Sequence, residues 1–316
     1  MTVKLGVLMD PVEKIHFEKD STIAMLWGAA SRGWEIYYFE QGDLFFRDGE
    51  VFAHARVMKV TYNKHKWYDF TAEKIIPLTH LKVILMRKDP PFNQEYIYTT
   101  YLLELAERAG VLVVNKPQGL RDANEKMFTT WFPQCCPPTL VTRSIGMLRN
   151  FYHEQKDIVC KPLEGMGGAS VFRLTYPDLN ASVVFEVLTQ SEQRYIMAQQ
   201  FIPEISQGDK RILMINGEPI PFALARVPAA GELRGNLVAG ATGVARGLTE
   251  KDRWICEQVG PVLREKGLYF VGLDVIGNYL TEINVTSPTC IRELDAQCNL
   301  NIGAQLMEFI DKKLKG

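Results

Sequence analysis

The chain has 316 residues, a length that predicts roughly two domains and a core large enough to need no disulfide or metal for folding. Hydrophobic residues make up 47% and charged residues 23%, which excludes disordered, collagen-like and coiled-coil chains. There are 36 lysines and arginines against 37 aspartates and glutamates, so the net charge of −1 gives no overall attraction to nucleic acid or an anionic membrane.

No apolar run reaches the roughly 18 residues of a membrane span. The apolar start, residues 3–9, is too short for a signal peptide and predicts a buried strand instead. The six cysteines include no Cys-x-x-Cys pair, and the five histidines show no zinc-ligand spacing. We therefore expect reduced cysteines and a cytoplasmic location.

The first third alternates strands and helices. Strands are expected at 3–9, 34–39, 81–87 and 111–114, helices at 20–33 and 93–110, and a hairpin turn at Asp48-Gly49. This rhythm predicts an open, mostly parallel sheet in an α/β protein. Ligands bind beyond the carboxyl ends of such strands. The polar residues predicted at those ends are Asp10, Arg87, Lys88, Asp89 and Asn115.

The remainder predicts two further units. Residues 123–200 read as a small α/β unit with a short helix at Lys126 and strands at 157–162, 171–174 and 195–202. The last third predicts a hairpin at Asn216-Gly217, a helix at 249–267, a turn at Gly277-Asn278 and a final helix. Residues 227–247, rich in glycine and alanine, are long for a structureless loop and indicate a lid or disorder.

The glycine-rich segment 165–170, Gly-Met-Gly-Gly-Ala-Ser, predicts a phosphate-binding loop, because closely spaced glycines let backbone N–H groups approach phosphate oxygens. A dinucleotide fingerprint would have to open a helix, whereas residues 171–174 read as a strand. The pattern favours a β-turn-β lid, with a plain glycine turn as the alternative.

Two lysines accompany this loop. Lys161 lies in an apolar strand, where a lysine is costly without a partner. Together with Lys126 it could bracket a polyphosphate, although either lysine alone is typical of a solvated surface. Arg211, Arg226 and Arg234 flank the hairpin and the glycine-rich segment, and arginine forks suit phosphate and carboxylate oxygens.

Three oxygen-bearing side chains form a candidate metal site. Glu282 and Asn284 alternate on one strand and so share a face, and Asp274 lies across the predicted turn in a strongly apolar run. Mg²⁺ is typically bound by one or two carboxylates, with phosphate and water as the other ligands. The alternative interpretation is that these side chains belong to an ordinary solvated face of a strand. A two-residue turn alone would place Asp274 and Glu282 on opposite faces, so a shared site requires a longer loop or a bulge.

The order of these features resembles the ATP-grasp superfamily, and more closely the bacterial glutathione synthetases. The resemblance covers essentially the whole chain and rests on the stretches 86–92, 114–117, 161–170, 208–211, 272–277 and 281–293. The glycine-rich segment near Ala229 and Gly240 departs from the family pattern. The resemblance implies an N-terminal substrate domain (1–122), a central lid domain (123–200) and a C-terminal antiparallel-sheet catalytic domain (201–316) with a mobile loop at 227–247.

The resemblance also implies roles for single residues. ATP would be bound by Lys126, Lys161, Gly165, Gly167, Gly168, Ser170, Gln199, Gln200, Ile202 and Asp209. Mg²⁺ or Mn²⁺ would be held by Asp274, Glu282 and Asn284, and Arg211 and Arg226 would be catalytic. The peptide substrates would contact Asp10, Arg87, Asp89, Arg234, Ser287, Pro288 and Thr289.

The implied reaction joins γ-glutamylcysteine and glycine through an acylphosphate, with ATP as the phosphoryl donor and no covalent protein nucleophile. The family suggests a tetramer as the homo-oligomer, with no nucleic-acid or membrane partner. Two alternatives remain at this point: another ATP-grasp ligase acting on peptides or protein glutamate, and a non-catalytic ATP-binding regulator similar to the synapsins. The complete set of Asp274, Glu282 and Asn284 argues against the second.

Overall fold

The structure is a computed structural model that describes residues 2–165, 168–229 and 240–316. Three β-sheets follow one another along the chain, each with its own helices. Among the described residues, no helix combines the length and the apolar character needed to cross a bilayer.

The N-terminal sheet has a parallel half and an antiparallel half. Its strands are β1 (Lys4–Met9), β2 (Glu35–Phe39), β3 (Leu44–Arg47), β4 (Glu50–Val60), β5 (Tyr68–Pro77), β6 (Val83–Arg87) and β7 (Leu112–Val114). Strands β2, β1, β6 and β7 are parallel, as predicted. Strands β3 and β5 pair antiparallel with β4, which adds to β2. The turn at Asp48-Gly49 was expected. The β4–β5 pair was not, although residues 68–73 alternate apolar and polar side chains as in a half-buried strand.

Of the three helices of this unit, the first two begin where the sequence predicts, and the short third one was not expected. They are α1 (Ser21–Ser31), α2 (Gln94–Arg108) and α3 (Pro117–Asp122). Asp20 Oδ1 accepts hydrogen bonds from the backbone of Thr22 and Ile23, and Asn93 Oδ1 accepts one from Tyr96. These side chains satisfy N–H groups that have no partner inside the helix.

The central sheet is antiparallel, in the order β10-β9-β11-β8. Its elements are β8 (Thr139–Thr142), α4 (Ile145–Gln155), β9 (Asp157–Pro162), β10 (Phe172–Thr175), α5 (Ala181–Thr189) and β11 (Ile196–Gln200). The glycine-rich segment connects β9 to β10, which pair antiparallel. The residues after it form a strand rather than a helix, so the dinucleotide alternative is excluded.

The C-terminal sheet is also antiparallel, in the order β14-β13-β12-β15-β16. Its elements are β12 (Asp209–Ile215), β13 (Glu218–Val227), β14 (Thr242–Gly247), α6 (Glu250–Glu265), β15 (Phe270–Ile276), β16 (Tyr279–Asn284), α7 (Ile291–Cys298) and α8 (Ile302–Lys315). The hairpin at Asn216-Gly217 and the Thr249–Asp252 capping box are confirmed. The expectation of a structureless segment up to residue 247 is wrong for its last part, because β14 pairs with β13.

The β15–β16 hairpin contains the predicted irregularity. Ile276 pairs with Tyr279 around the Gly277-Asn278 turn, and the register then shifts so that Asp274 faces Glu282. Thr281 is the extra residue of this bulge, and its Oγ1 donates to the carbonyl of Asp274 at 3.1 Å. The bulge therefore places both carboxylates at one point on the same face of the sheet.

The N-terminal and C-terminal units are joined by buried contacts. Helices α1 and α8 approach so closely that a Cβ atom on Gly303 would lie 2.2 Å from the carbonyl oxygen of Ala24. The buried Asn115 amide donates to the carbonyls of Phe270 (2.8 Å) and Val285 (2.7 Å), and its oxygen accepts from the Phe270 N–H at 2.8 Å. Asn115, at the end of a parallel strand, thus connects two sheets.

Asn115→Ala should lower the free energy of unfolding by at least about 3 kcal/mol, because it leaves buried backbone groups unpaired. The measurement is the denaturant midpoint. Asn63→Ala, in an exposed loop, removes one side-chain hydrogen bond to His65 and is the matched control. Equal midpoints for the two variants would show that the Asn115 contacts do not stabilise the fold.

Candidate active site

A buried network of charges lies at the start of β12 and on the strands beside it. Register places Arg211 opposite Asp274 and Asp209 opposite Arg226. Arg211 binds both oxygens of Asp274, at 2.5 Å from Nε and 3.1 Å from Nη2. Nη2 of Arg226 lies 2.9 Å from Asp274 Oδ2 and 2.5 Å from Asp209 Oδ2. Each arginine therefore has a carboxylate partner, as buried charges require.

The two aspartates of this network differ in their pKa. Burial opposes ionisation of Asp274, but the charges of Arg211 and Arg226 outweigh it and hold the pKa well below its ordinary value. Burial raises the pKa of Asp209 to about 6, because the attraction of Arg226 and, more weakly, of Arg211 is opposed by the negative charges of Asp274 and Glu282. Asp209 Oδ1 is also buried and has no hydrogen-bond partner among the described residues. Asp274 is thus ionised at neutral pH, and Asp209 titrates just below it.

A second cluster brings both predicted lysines to Glu282. Glu282 Oε1 lies 3.6 Å from Lys126 Nζ and 3.9 Å from Lys161 Nζ. Lys126 Nζ also donates to the carbonyl of Gly165 at 3.0 Å, and Lys161 Nζ donates to that of Thr281 at 3.3 Å. The partner expected for a lysine in an apolar strand is therefore Glu282 on the neighbouring sheet.

Glu125 is a further member of this cluster that the sequence does not indicate. Its carboxylate accepts a hydrogen bond from Lys126 Nζ. Burial, followed by the nearby charge of Glu282, raises the pKa of Glu125. The sequence around Glu125 does not mark it as a member of this cluster, because its proximity to Glu282 depends on the packing of two separate units.

The donor set at the junction of the two clusters fits a divalent cation held partly by phosphate. Among residues 2–165, 168–229 and 240–316, no group of three or more His, Cys, Asp or Glu side chains could enclose a metal. Asn284 donates its amide nitrogen to the Gly272 carbonyl at 3.3 Å, so its amide oxygen is the atom it can offer a cation. Oxygens of Asp274, Glu282 and Asn284, completed by phosphate and water, match the preferences of Mg²⁺ and Mn²⁺.

The residues expected around ATP are only partly brought together. Gln199 is buried and donates to Thr139 Oγ1 at 3.0 Å, whereas the neighbouring Gln200 is exposed. Adjacent residues of a strand point to opposite faces, so the side chains of Gln199 and Gln200 do not line the same pocket. Ile202 is buried just beyond the strand.

The glycine-rich segment is described at its two ends. Gly165 contributes its carbonyl to Lys126, and Gly168 and Ser170 both have positive φ angles, of 76° and 58°. Gly167 lies outside the described residues, as does Arg234 of the second glycine-rich segment.

A separate polar cluster joins the N-terminal strand ends to residues 287–288. The Asp89 N–H donates to Asp10 Oδ2 at 2.8 Å, and Ser287 Oγ donates to the Asp89 carboxylate. Arg87 Nη2 donates to the carbonyl of Pro288 at 3.1 Å. The structure therefore brings most of the expected peptide-binding residues together. Thr289 is exposed and its hydroxyl lies 3.8 Å from Cys290 Sγ.

Two buried polar atoms near this cluster belong to residues outside the predicted set. Tyr96 Oη and Glu293 Oε2 have no hydrogen-bond partner among the described residues. Burial raises the pKa of both groups, and Arg87 and Asp89 are the nearest charges acting on Tyr96. A tyrosine on an amphipathic helix reads as core, so nothing in the sequence pattern marks Tyr96.

Solved structures with similar folds are ATP-grasp ligases of low sequence identity. The ATP-grasp ligase PsnB, complexed with minimal precursor, Mg and ADP, aligns with a TM-score of 0.64 at 17% identity, over 99% of this chain and 98% of that one. The D-alanyl-alanine synthetase A of Vibrio cholerae aligns with a TM-score of 0.60 at 14% identity, over 100% and 99%. At this identity the likeness shows the ATP-grasp fold alone.

Proteins that are similar in sequence have much higher identity to this chain. Glutathione synthetases of Pseudomonas syringae pv. tomato and Pseudomonas aeruginosa are 60% and 58% identical, covering at least 99% of this chain and 99% of each relative. The one from Escherichia coli O157:H7 is 54% identical over 99% of both chains. Family models match residues 3–121 (prokaryotic glutathione synthetase, N-terminal domain) and 125–299 (prokaryotic glutathione synthetase, ATP-grasp domain). The chain therefore belongs to the prokaryotic glutathione synthetase family of ATP-grasp ligases.

Proposed function

We propose that the chain ligates γ-glutamylcysteine and glycine to glutathione, with ATP converted to ADP and phosphate. The observation that carries this proposal is the pair of facing carboxylates, Asp274 and Glu282, with arginines on one side and lysines on the other. Such an arrangement suits a triphosphate with a divalent cation next to an acidic substrate. The names of relatives over the whole chain support the choice of substrates.

The chemistry consists of two displacements. A carboxylate oxygen of the dipeptide attacks the γ-phosphorus of ATP, the bond to the leaving ADP breaks, and an acylphosphate forms. The neutral glycine amine then attacks the acyl carbon, phosphate leaves, and the amine loses a proton to solvent. Positioning and charge neutralisation are the main tasks of the protein in such transfers.

The charged residues would change partners when the substrates bind. Lys126 and Lys161 would pass from Glu282 to phosphate oxygens, while Asp274, Glu282 and Asn284 hold a divalent cation, for which we propose Mg²⁺. The cation neutralises phosphate charge when it is bound. Arg211 and Arg226, fixed by Asp274 and Asp209, would present their remaining N–H groups to the transferred phosphoryl group and the acylphosphate.

The rest of the nucleotide would lie on the central sheet. Gly165, Gly168 and Ser170 would approach the phosphates, and Gln199, Gln200 and Ile202 would surround the adenine, with Gln200 acting through its backbone. The unpartnered Asp209 Oδ1 supports a contact with a ribose hydroxyl.

The peptide end would be bound by the cluster that joins Asp10, Arg87 and Asp89 to residues 287–289. We further propose a division into a substrate domain (1–122), a lid (123–200) and a catalytic domain (201–316). The three sheets support this division.

Assembly and location are proposed on separate grounds. Helix α2 exposes Tyr98, Tyr101 and Leu105 at a spacing that places them on one face, which supports a homo-oligomer, and a tetramer is the state proposed. All six cysteines are unpaired, which supports a cytoplasmic location.

The direct test is ADP release by the purified chain with γ-glutamylcysteine and glycine, and glutathione identified by mass. A panel of other dipeptides and amino acids is run in parallel. Glutathione formation with γ-glutamylcysteine as the best donor is the expected result. Faster turnover of another peptide would point to a different ATP-grasp ligase, and ATP binding without turnover of any substrate would point to a regulator.

Glu282→Gln should fold normally and lose glutathione formation by about 100-fold or more, because it removes one charge from the cation site and alters the partner of both lysines. Turnover is measured at saturating ATP across a Mg²⁺ titration, with the melting temperature as the folding control. Glu257→Gln, exposed on α6, is the matched charge removal and should leave turnover unchanged. Near-wild-type turnover of Glu282→Gln at every Mg²⁺ concentration would refute its role.

Asp209→Asn should change how stability depends on pH. The pKa of Asp209 is raised from 3.8 to about 6, so between these values the folded chain keeps a proton that the unfolded chain has released. Stability from this group is therefore lost as pH rises from about 4 to about 6. Asp209→Asn removes the titrating carboxyl group. Its melting temperature should therefore be close to that of wild type near pH 4 and higher than that of wild type near pH 7.

The melting temperatures of both proteins are compared across this pH range. Asp69→Asn, at an exposed site on β5, is the control for removing an aspartate charge. A difference between Asp209→Asn and wild type that stays constant with pH would contradict a raised pKa at Asp209.

A further inference from the structure

One of the buried unpartnered atoms, Glu293 Oε2, has no role in the steps derived above. A carboxylate oxygen that is removed from water without a hydrogen-bond donor is costly. The same situation at Asp209 falls inside the network around Arg226, at the nucleotide end of the site. Glu293 lies elsewhere, in the first turn of α7, and the lack of a donor for its Oε2 among the described residues points to one that a ligand supplies.

The first turn of α7 lies at the junction of the two outer units. The Ile291 N–H donates to Ser21 Oγ at 3.1 Å, and Arg292 Nη1 donates to the carbonyl of Phe17 at 2.5 Å. The charges that act on Glu293 are those of Lys19, Arg292 and Arg211. Glu293 thus lies on the turn of α7 whose residues 291 and 292 contact the segment that follows β1.

The nearby guanidinium groups already have partners. Arg292 donates to Phe17 and packs its guanidinium over the rings of Phe17 and Trp27, at 5.2 and 4.6 Å. Arg211 is engaged by both oxygens of Asp274. Lys19 is exposed, and Glu293 Oε2 has no hydrogen-bond partner among the described residues. The donor for Glu293 Oε2 is therefore expected from a ligand, and a carboxylate in a dehydrated position selects a cationic one.

We propose that Glu293 binds the α-ammonium of the γ-glutamyl group and so recognises the amino-acid end of the donor dipeptide. This inference rests on the proposed function, in which that ammonium is the single cationic group of γ-glutamylcysteine. The glycine amine is a poorer match, because a carboxylate stabilises the protonated form of an amine and would suppress its attack on the acylphosphate. Glu293 is thus a specificity residue for the donor rather than for the acceptor.

The test compares γ-glutamylcysteine with N-glutarylcysteine, which has the same chain and both carboxylates but lacks the α-amino group. Wild type should prefer γ-glutamylcysteine in kcat/KM by about 100-fold. Glu293→Gln should lose about the same factor on γ-glutamylcysteine and little on N-glutarylcysteine, so that the preference falls close to one. The KM for ATP and for glycine should stay near the wild-type values.

Glu308→Gln, an exposed charge removal on α8, is the control and should keep the full preference. Equal loss on both donors, no loss on either, or a rise confined to the KM for glycine would overturn the role of Glu293. If Glu293→Gln does not fold, Glu293→Asp is used, which keeps the charge but withdraws it by one methylene. A reduced preference supports the proposal and an unchanged preference overturns it. Absence of wild-type turnover with γ-glutamylcysteine would overturn the proposed function as well.

Discussion

The candidate active site depends on the mutual pairing of buried charges. Among the described residues, the carboxylates of Asp209, Asp274, Glu282 and Glu125 alternate with the cations of Arg211, Arg226, Lys126 and Lys161. None of these groups would be stable in such a position alone, because desolvation of a single charge costs several kcal/mol. The network is therefore both the reason that the chain tolerates so much buried charge and the reason that substrate charges can replace its members one for one.

The backbone makes this network possible at one hairpin. A regular two-residue turn would have placed Asp274 and Glu282 on opposite faces of the sheet. The extra residue, Thr281, shifts the register so that both side chains lie on the same face. Thr281 also donates to the Asp274 carbonyl, and its own carbonyl accepts from Lys161. A single inserted residue thus connects the strand register, the proposed metal ligands and the lysine proposed to bind phosphate.

Local features of the fold could be predicted from the sequence, and long-range contacts could not. The capping box at Thr249 and the turn at Asn216-Gly217 depend on neighbouring residues, so the pattern is sufficient. The bulge beside Asp274 could be predicted because the two carboxylates had to meet for the implied chemistry. Glu125 and Tyr96 acquire their positions from packing between units, which no periodicity records. Strand β5 is different, because residues 68–73 do alternate apolar and polar side chains and the sequence therefore contained the signal for it.

The contacts that join the two outer units to each other differ from those that join them to the central unit. The outer units share the Asn115 hydrogen bonds and the tight approach of Gly303 to α1, so buried contacts hold them together. Ion pairs link the central unit to the outer units, since Lys126 Nζ and Lys161 Nζ lie 3.6 and 3.9 Å from Glu282 Oε1. Phosphate oxygens would compete for these same ammonium groups. In the proposed function, an arriving nucleotide would replace these ion pairs, so the link between the central unit and the outer units would pass from Glu282 to the phosphates.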